Sequence, residues 1–225
     1  MSQLASHGTE YGVVEREPPE TLARNLVVGS HFWASATAFF FLPFLFAYFY
    51  LRSLNEHDLW RPKHVDPSFT LGTLTAAAIV ASAVLLRLGL ADRRADRRPA
   101  WRVKGVAAVV LLVLAVALQI AEWATQGFGP TDGAYASVYV GWTGLQALFV
   151  LGLAYWAETT VAMSIRYRGP TRWPEPGDAS GDPHRTAHDV DDPLSLVPAS
   201  LAAVSFYATS LAGIAVVTWI VLYLL

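Results

Sequence analysis

The chain has 225 residues, no cysteine, a formal net charge of −2 and a mean hydropathy of +0.37. With 54% hydrophobic residues it is more apolar than an ordinary soluble domain. The lack of cysteine excludes iron–sulfur clusters, thiolate copper sites and c-type haem attachment; the small net charge excludes nothing.

Five stretches reach the about 20 apolar residues that cross a bilayer: 30–51, 69–90, 103–123, 135–157 and 201–225. The expected fold class is therefore all-α, a polytopic membrane bundle of five transmembrane helices. Residues 1–29 are largely polar, carry Pro18 and Pro19, and read as a poorly ordered cytoplasmic tail rather than a signal peptide. Residues 30–225 form one domain with an exposed linker at 169–192. Basic residues set the orientation. With five spans the tail shares a side with the loops at 91–102 and 158–200. Those segments hold Arg16, Arg24, Arg93, Arg94, Arg97, Arg98, Arg102, Arg166, Arg168, Arg172 and Arg185, with Lys104 alongside. The other side holds only Arg52, Arg61 and Lys63. The N-terminus is expected inside and the C-terminus outside.

The first span is rich in aromatics, with Trp33 and the Tyr48–Tyr50 end suited to interfacial belts. Pro43 lies mid-helix and is expected to kink it. His31 at the inner boundary is either an interfacial histidine facing water or a contact for a proton or lipid phosphate. The second span holds Ala76, Ala77, Ala78, Ala81, Ser82 and Ala83, small residues that let helix backbones approach. It is expected to be central to the bundle. Arg87 near its inner end can snorkel to headgroups. The loop after it, 91–102, pairs arginines with Asp92 and Asp96.

The third span is nearly pure Ala, Val and Leu up to Leu118. Gln119 and Glu122 follow at i, i+3 on one face. Glu122 lies about 24 Å along the helix from Val106 at 1.5 Å per residue, near the outer interface, where a carboxylate can reach water. A glycine-rich turn with Gly127, Gly129, Pro130 and Gly133 leads as a tight hairpin into the fourth span. There Thr143 and Gln146 have the chemistry to hydrogen-bond neighbouring helices. The linker holds His184 and His188 at i, i+4 with nearby aspartates, but Gly181 and Pro183 oppose the helix a metal site would need. The fifth span has no charge, and Pro198 would suit an earlier start.

These motifs together resemble subunit III of haem–copper terminal oxidases, in a five-helix form lacking that family's first two helices. The resemblance is carried by Trp33 and the FAYFYLR run to Arg52, Ala81-Ser82, Gln119-x-x-Glu122-Trp123, the stretch 134–152 with Thr143-Gly144, and Trp219 with Tyr223. It implies an accessory, non-catalytic subunit in the plasma membrane of a prokaryote. Such a subunit would bind no haem, copper or other cofactor itself. It would pack on catalytic subunit I and subunit II, which carry haem and copper, bind phospholipid, and have no nucleic-acid partner. Gln119, Glu122, Trp123, Thr143, Gly144, Arg52, Arg87 and His31 are the candidate motif or lipid-contact residues. The chain departs from the family where a buried Glu is usual, near Ala36-Thr37; where two histidines are usual, at Gln146 and Phe149; and where a Trp-His-Phe-x-Asp run is usual, at 212–216. The groups that carry roles such as shaping proton supply in the family are therefore absent at these positions. Two alternatives are a subunit-III-like accessory protein of a nitric oxide reductase system and a stand-alone small membrane transporter. The transporter would want midplane polar residues or broken helices in related halves.

Overall fold

The computed structural model describes residues 19–55, 60–62, 64–166 and 196–225. The linker at 169–192, with His184 and His188, lies outside them. The described residues form five helices: α1 (Pro19–Ser53), α2 (Phe69–Arg94), α3 (Arg98–Thr125), α4 (Ala134–Arg166) and α5 (Val197–Trp219). A π-helical turn, Ile220–Leu224, prolongs α5. Each helix is long and apolar enough to cross a membrane. The 28 residues of α3 rise about 42 Å, well beyond the about 30 Å of a hydrocarbon core.

The ends differ from expectation in ways the local chemistry explains. α1 starts at Pro19, so residues 19–29 are helical rather than a poorly ordered tail. Proline suits a first helical position. The next breaker is Gly29, whose cost of about 1 kcal/mol does not stop so long a helix. The helix also runs on through Pro43. The supposed loop at 91–102 is mostly helix, because α2 continues to Arg94 and α3 begins at Arg98. Only 95–97 turn, with Asp96 at φ 56°, a left-handed conformation that aspartate tolerates. Asp92 clamps this turn, pairing with Arg97 at 2.7 Å and with Lys104. α5 begins at Val197 with Pro198 in its first turn, as its sequence suggests.

Cross-helix contacts give consecutive helices opposite directions. Trp101 meets Ser164 at one end of the α3–α4 pair, and Trp123 meets Thr143 at the other. Thr160 meets Ser200, while Trp142 meets Thr218. α5 is the hub, packed against α1, α2 and α4. α2, expected to be central, sits between α3 and α5. Its small residues divide: Ala78, Ser82 and Ala83 are buried, while Ala77 and Ala81 are exposed. Gly89 lets α3 approach, since a Cβ there would lie 2.6 Å from the Trp101 ring.

The core has two parts. Towards the 95–97 turn it is aliphatic, built on Ile79, Leu86, Leu112, Leu153 and Leu211 around Trp101. Towards the 126–133 turn it is aromatic, with Phe41, Tyr48, Phe128, Tyr135, Tyr139 and Trp142. The segment after α1 closes this aromatic end. Trp60 stands edge-on to Tyr48 and Tyr135, at ring separations of 5.2 and 5.7 Å. Its carbonyl accepts from the Tyr135 amide at 3.0 Å, and Arg61 lies 4.6 Å over the Tyr135 ring.

Candidate functional site

One bonding scheme recurs between the helices. A hydroxyl donates back to a carbonyl of its own helix, which leaves its oxygen free to accept from a neighbour. Thr143 donates to the Tyr139 carbonyl (2.8 Å) and accepts from Trp123 Nε1 (3.1 Å). Thr218 does the same with the Ile214 carbonyl and Trp142 Nε1 (2.8 Å). Thr73 pairs with Trp219 Nε1 (2.9 Å), and Ser164 with Trp101 Nε1 (2.9 Å). An indole has one polar atom, a donor, so burying its ring between helices requires such an acceptor. These four clasps join α3 to α4 twice, α4 to α5, and α5 to α2.

Inside them lies Glu122. It is 0% exposed, which corrects the expectation that it reaches water near an interface. Tyr223, in the π-helical turn, donates to both of its oxygens at 3.0 and 2.9 Å. Gln119 Nε2 donates to Oε2 at 3.3 Å, so the i, i+3 spacing does bring these two together. Tyr139 OH stands 3.2 Å from Tyr223 OH. Because Tyr223 uses its one proton on Glu122, Tyr139 is the donor to it. Among the described residues no basic side chain forms an ion pair with Glu122. Close packing holds the arrangement. Gly72 of α2 faces the Tyr223 ring, and a Cβ there would lie 2.2 Å from Tyr223 Cζ. Tyr135 OH donates to the Leu222 carbonyl at 2.6 Å, tying α4 to the same turn.

The residues singled out in the sequence divide into two groups. Gln119, Glu122, Trp123 and Thr143 meet in this one region. Gly144 adjoins it on α4 without a close neighbour, since a Cβ there would meet nothing within 4 Å. Arg52, Arg87 and His31 lie apart and exposed. Arg52 donates to Tyr48 OH at 3.4 Å. Arg87 Nε donates to Thr209 Oγ1 of α5 at 2.8 Å, so part of its guanidinium is committed within the bundle. His31 Nδ1 is 2.8 Å from the Val27 carbonyl, and its ring lies 3.9 Å from that of Phe206. Gln146 is buried as an interhelical bonding role requires, yet its Oε1 has no partner.

Sequence reasoning did not place Tyr139 in the site, and it named Tyr223 only as part of the resemblance, not as a partner of Glu122. Tyr135 and Tyr139 at i, i+4 do share a face of α4, which was the available signal. Nothing in the spacing tells which helix that face meets. The described residues contain no group of three or more histidines and carboxylates able to hold a metal ion. The region can accept and relay hydrogen bonds across four helices; its side chains are tyrosines, amides, hydroxyls and one carboxylate.

Among known proteins, no family model and no curated protein matches this chain.

Proposed function

We propose that this chain is an accessory, non-catalytic subunit of a respiratory haem–copper terminal oxidase. It sits in a prokaryotic plasma membrane with its N-terminus inside and its C-terminus outside, beside subunits I and II that hold the haem and copper. It acts by packing against them and retaining phospholipid. The observation that carries this reading is the meeting of the resembling motif residues. Gln119 bonds to Glu122 within α3, and the next residue, Trp123, bonds across to Thr143 of α4. A motif whose members bond to one another specifies how helices pack, which is what a scaffold requires.

Two further features support the role. Large apolar side chains of α1, among them Phe32, Phe39 and Phe46, are more than two-thirds exposed. Such a face suits lipid tails or an apolar partner helix. At the 95–97 end, Arg94 and Arg102 are exposed, and a basic residue near the surface contributes about 1 kcal/mol of attraction to an anionic headgroup.

The test is purification of the oxidase with and without this chain. The reading expects a shorter working lifetime during turnover and less bound phospholipid when the chain is missing. Unchanged lifetime together with unchanged lipid would defeat it, as would purification of the chain from its membrane with no haem-bearing companion.

A further inference from the structure

Next to Gln119, which bonds to Glu122, the bundle contains two adjoining cavities, each offering about 10 Å³ to the centre of a water molecule. Both are lined by Thr75 of α2, Gln119 of α3 and Gln146 of α4, and the second reaches Tyr223. Thr75 and Gln146 are 4% and 5% exposed, and Thr75 Oγ1 and Gln146 Oε1 have no hydrogen-bond partner. Thr75 thus breaks the rule of Thr73, Thr143 and Thr218, whose hydroxyls all donate to their own helix. Of the two cavities only the second presents polar surface, the first being lined by apolar surface alone. Two orphaned polar atoms on two helices that line it require a partner that the protein does not provide.

We propose that the second cavity is a water-binding site, holding one ordered molecule that bridges Thr75 Oγ1 and Gln146 Oε1. The size agrees, since about 10–15 Å³ of such space holds one water. So does the chemistry: a buried water needs two to four polar partners, and Thr75, Gln146 and Gln119 supply them. Gln119 also donates to Glu122, so the water joins the carboxylate network and extends it from α3 and α5 to α2 and α4. The first cavity continues the space between apolar side chains, Ile79, Ala115 and Val150. This inference is independent of the oxidase reading.

The test uses the full chain, with its natural companions where it has them, in lipid nanodiscs. A density map fine enough to show buried waters elsewhere should contain a peak within hydrogen-bond distance of Thr75 Oγ1 and Gln146 Oε1. A map of that quality with no peak at the site would overturn the proposal. Stability gives an independent readout. A bridging water makes Thr75→Val lower the unfolding midpoint, since the substitution strips the water of a partner. A dry cavity makes the same substitution neutral or stabilising, since it removes an orphaned hydroxyl. An unchanged or raised midpoint therefore also counts against the water.

Discussion

Tyr223→Phe isolates the bond that ties the end of α5 to α3. The substitution keeps the ring that packs on Gly72 and removes only the hydroxyl. Glu122 then loses the donor at 2.9–3.0 Å to both oxygens and keeps Gln119 at 3.3 Å. Tyr139 loses its acceptor as well. Leaving a buried polar group unsatisfied costs about 1–3 kcal/mol. Side-chain bonds between helices in lipid average about 0.6 kcal/mol and reach about 1.7, because the separated helices find other partners. The bond shared between both Glu122 oxygens and the lost acceptor of Tyr139 put this case near the top of the second range, so the expected loss is about 1–2 kcal/mol. Equilibrium unfolding in mixed micelles, titrated with a denaturing detergent, measures it. Glu122→Gln and the double variant complete a thermodynamic cycle, in which the two sites should couple by more than about 0.5 kcal/mol. A Tyr223→Phe protein as stable as the parent, or purely additive effects, would refute the bonding scheme around Glu122.

Two other perturbations test neighbouring parts of the fold. Gly72→Ala should destabilise by about 1–3 kcal/mol, because its Cβ would lie 2.2 Å from the Tyr223 ring and must displace it. Gly144→Ala should be neutral or gain up to about 1 kcal/mol of helix propensity, having nothing within 4 Å of its Cβ. Equal tolerance of the two in the same titration would contradict the packing described for α2. Asp92→Asn should loosen the turn at 95–97 by weakening the pairs to Arg97 and Lys104. Limited trypsin digestion would then cut faster after Arg93, Arg94 and Arg97, and an unaltered cutting rate would show that the clamp does not hold the turn.

Much of this architecture was legible in one dimension. Five apolar runs of the right length, separated by polar punctuation, give five helices, because a greasy stretch of that length satisfies its backbone only as a helix. The hairpin after α3 followed from its glycines, and the Gln119–Glu122 pairing from a spacing of three. Both depend on atoms close in sequence. Helix ends were less legible: Asp92 reaches forward to Arg97 and Lys104 to shorten the turn at 95–97, and composition alone marks such charges as loop.

What only the tertiary structure decided is which face of each helix meets which neighbour. Glu122 looked as though it could reach water because its distance along α3 puts it near a span end. It is buried because α5 delivers Tyr223, 101 residues later, onto the same level. Thr143 and Gln146 looked equivalent; one accepts a tryptophan N–H from α3, while the other has an orphaned oxygen facing a cavity. Periodicity sets how a side chain points from its own helix axis. The rotation of one apolar helix against another is set by small differences in shape and by a few polar contacts. Those contacts are spread too far along the chain for any local pattern to encode them.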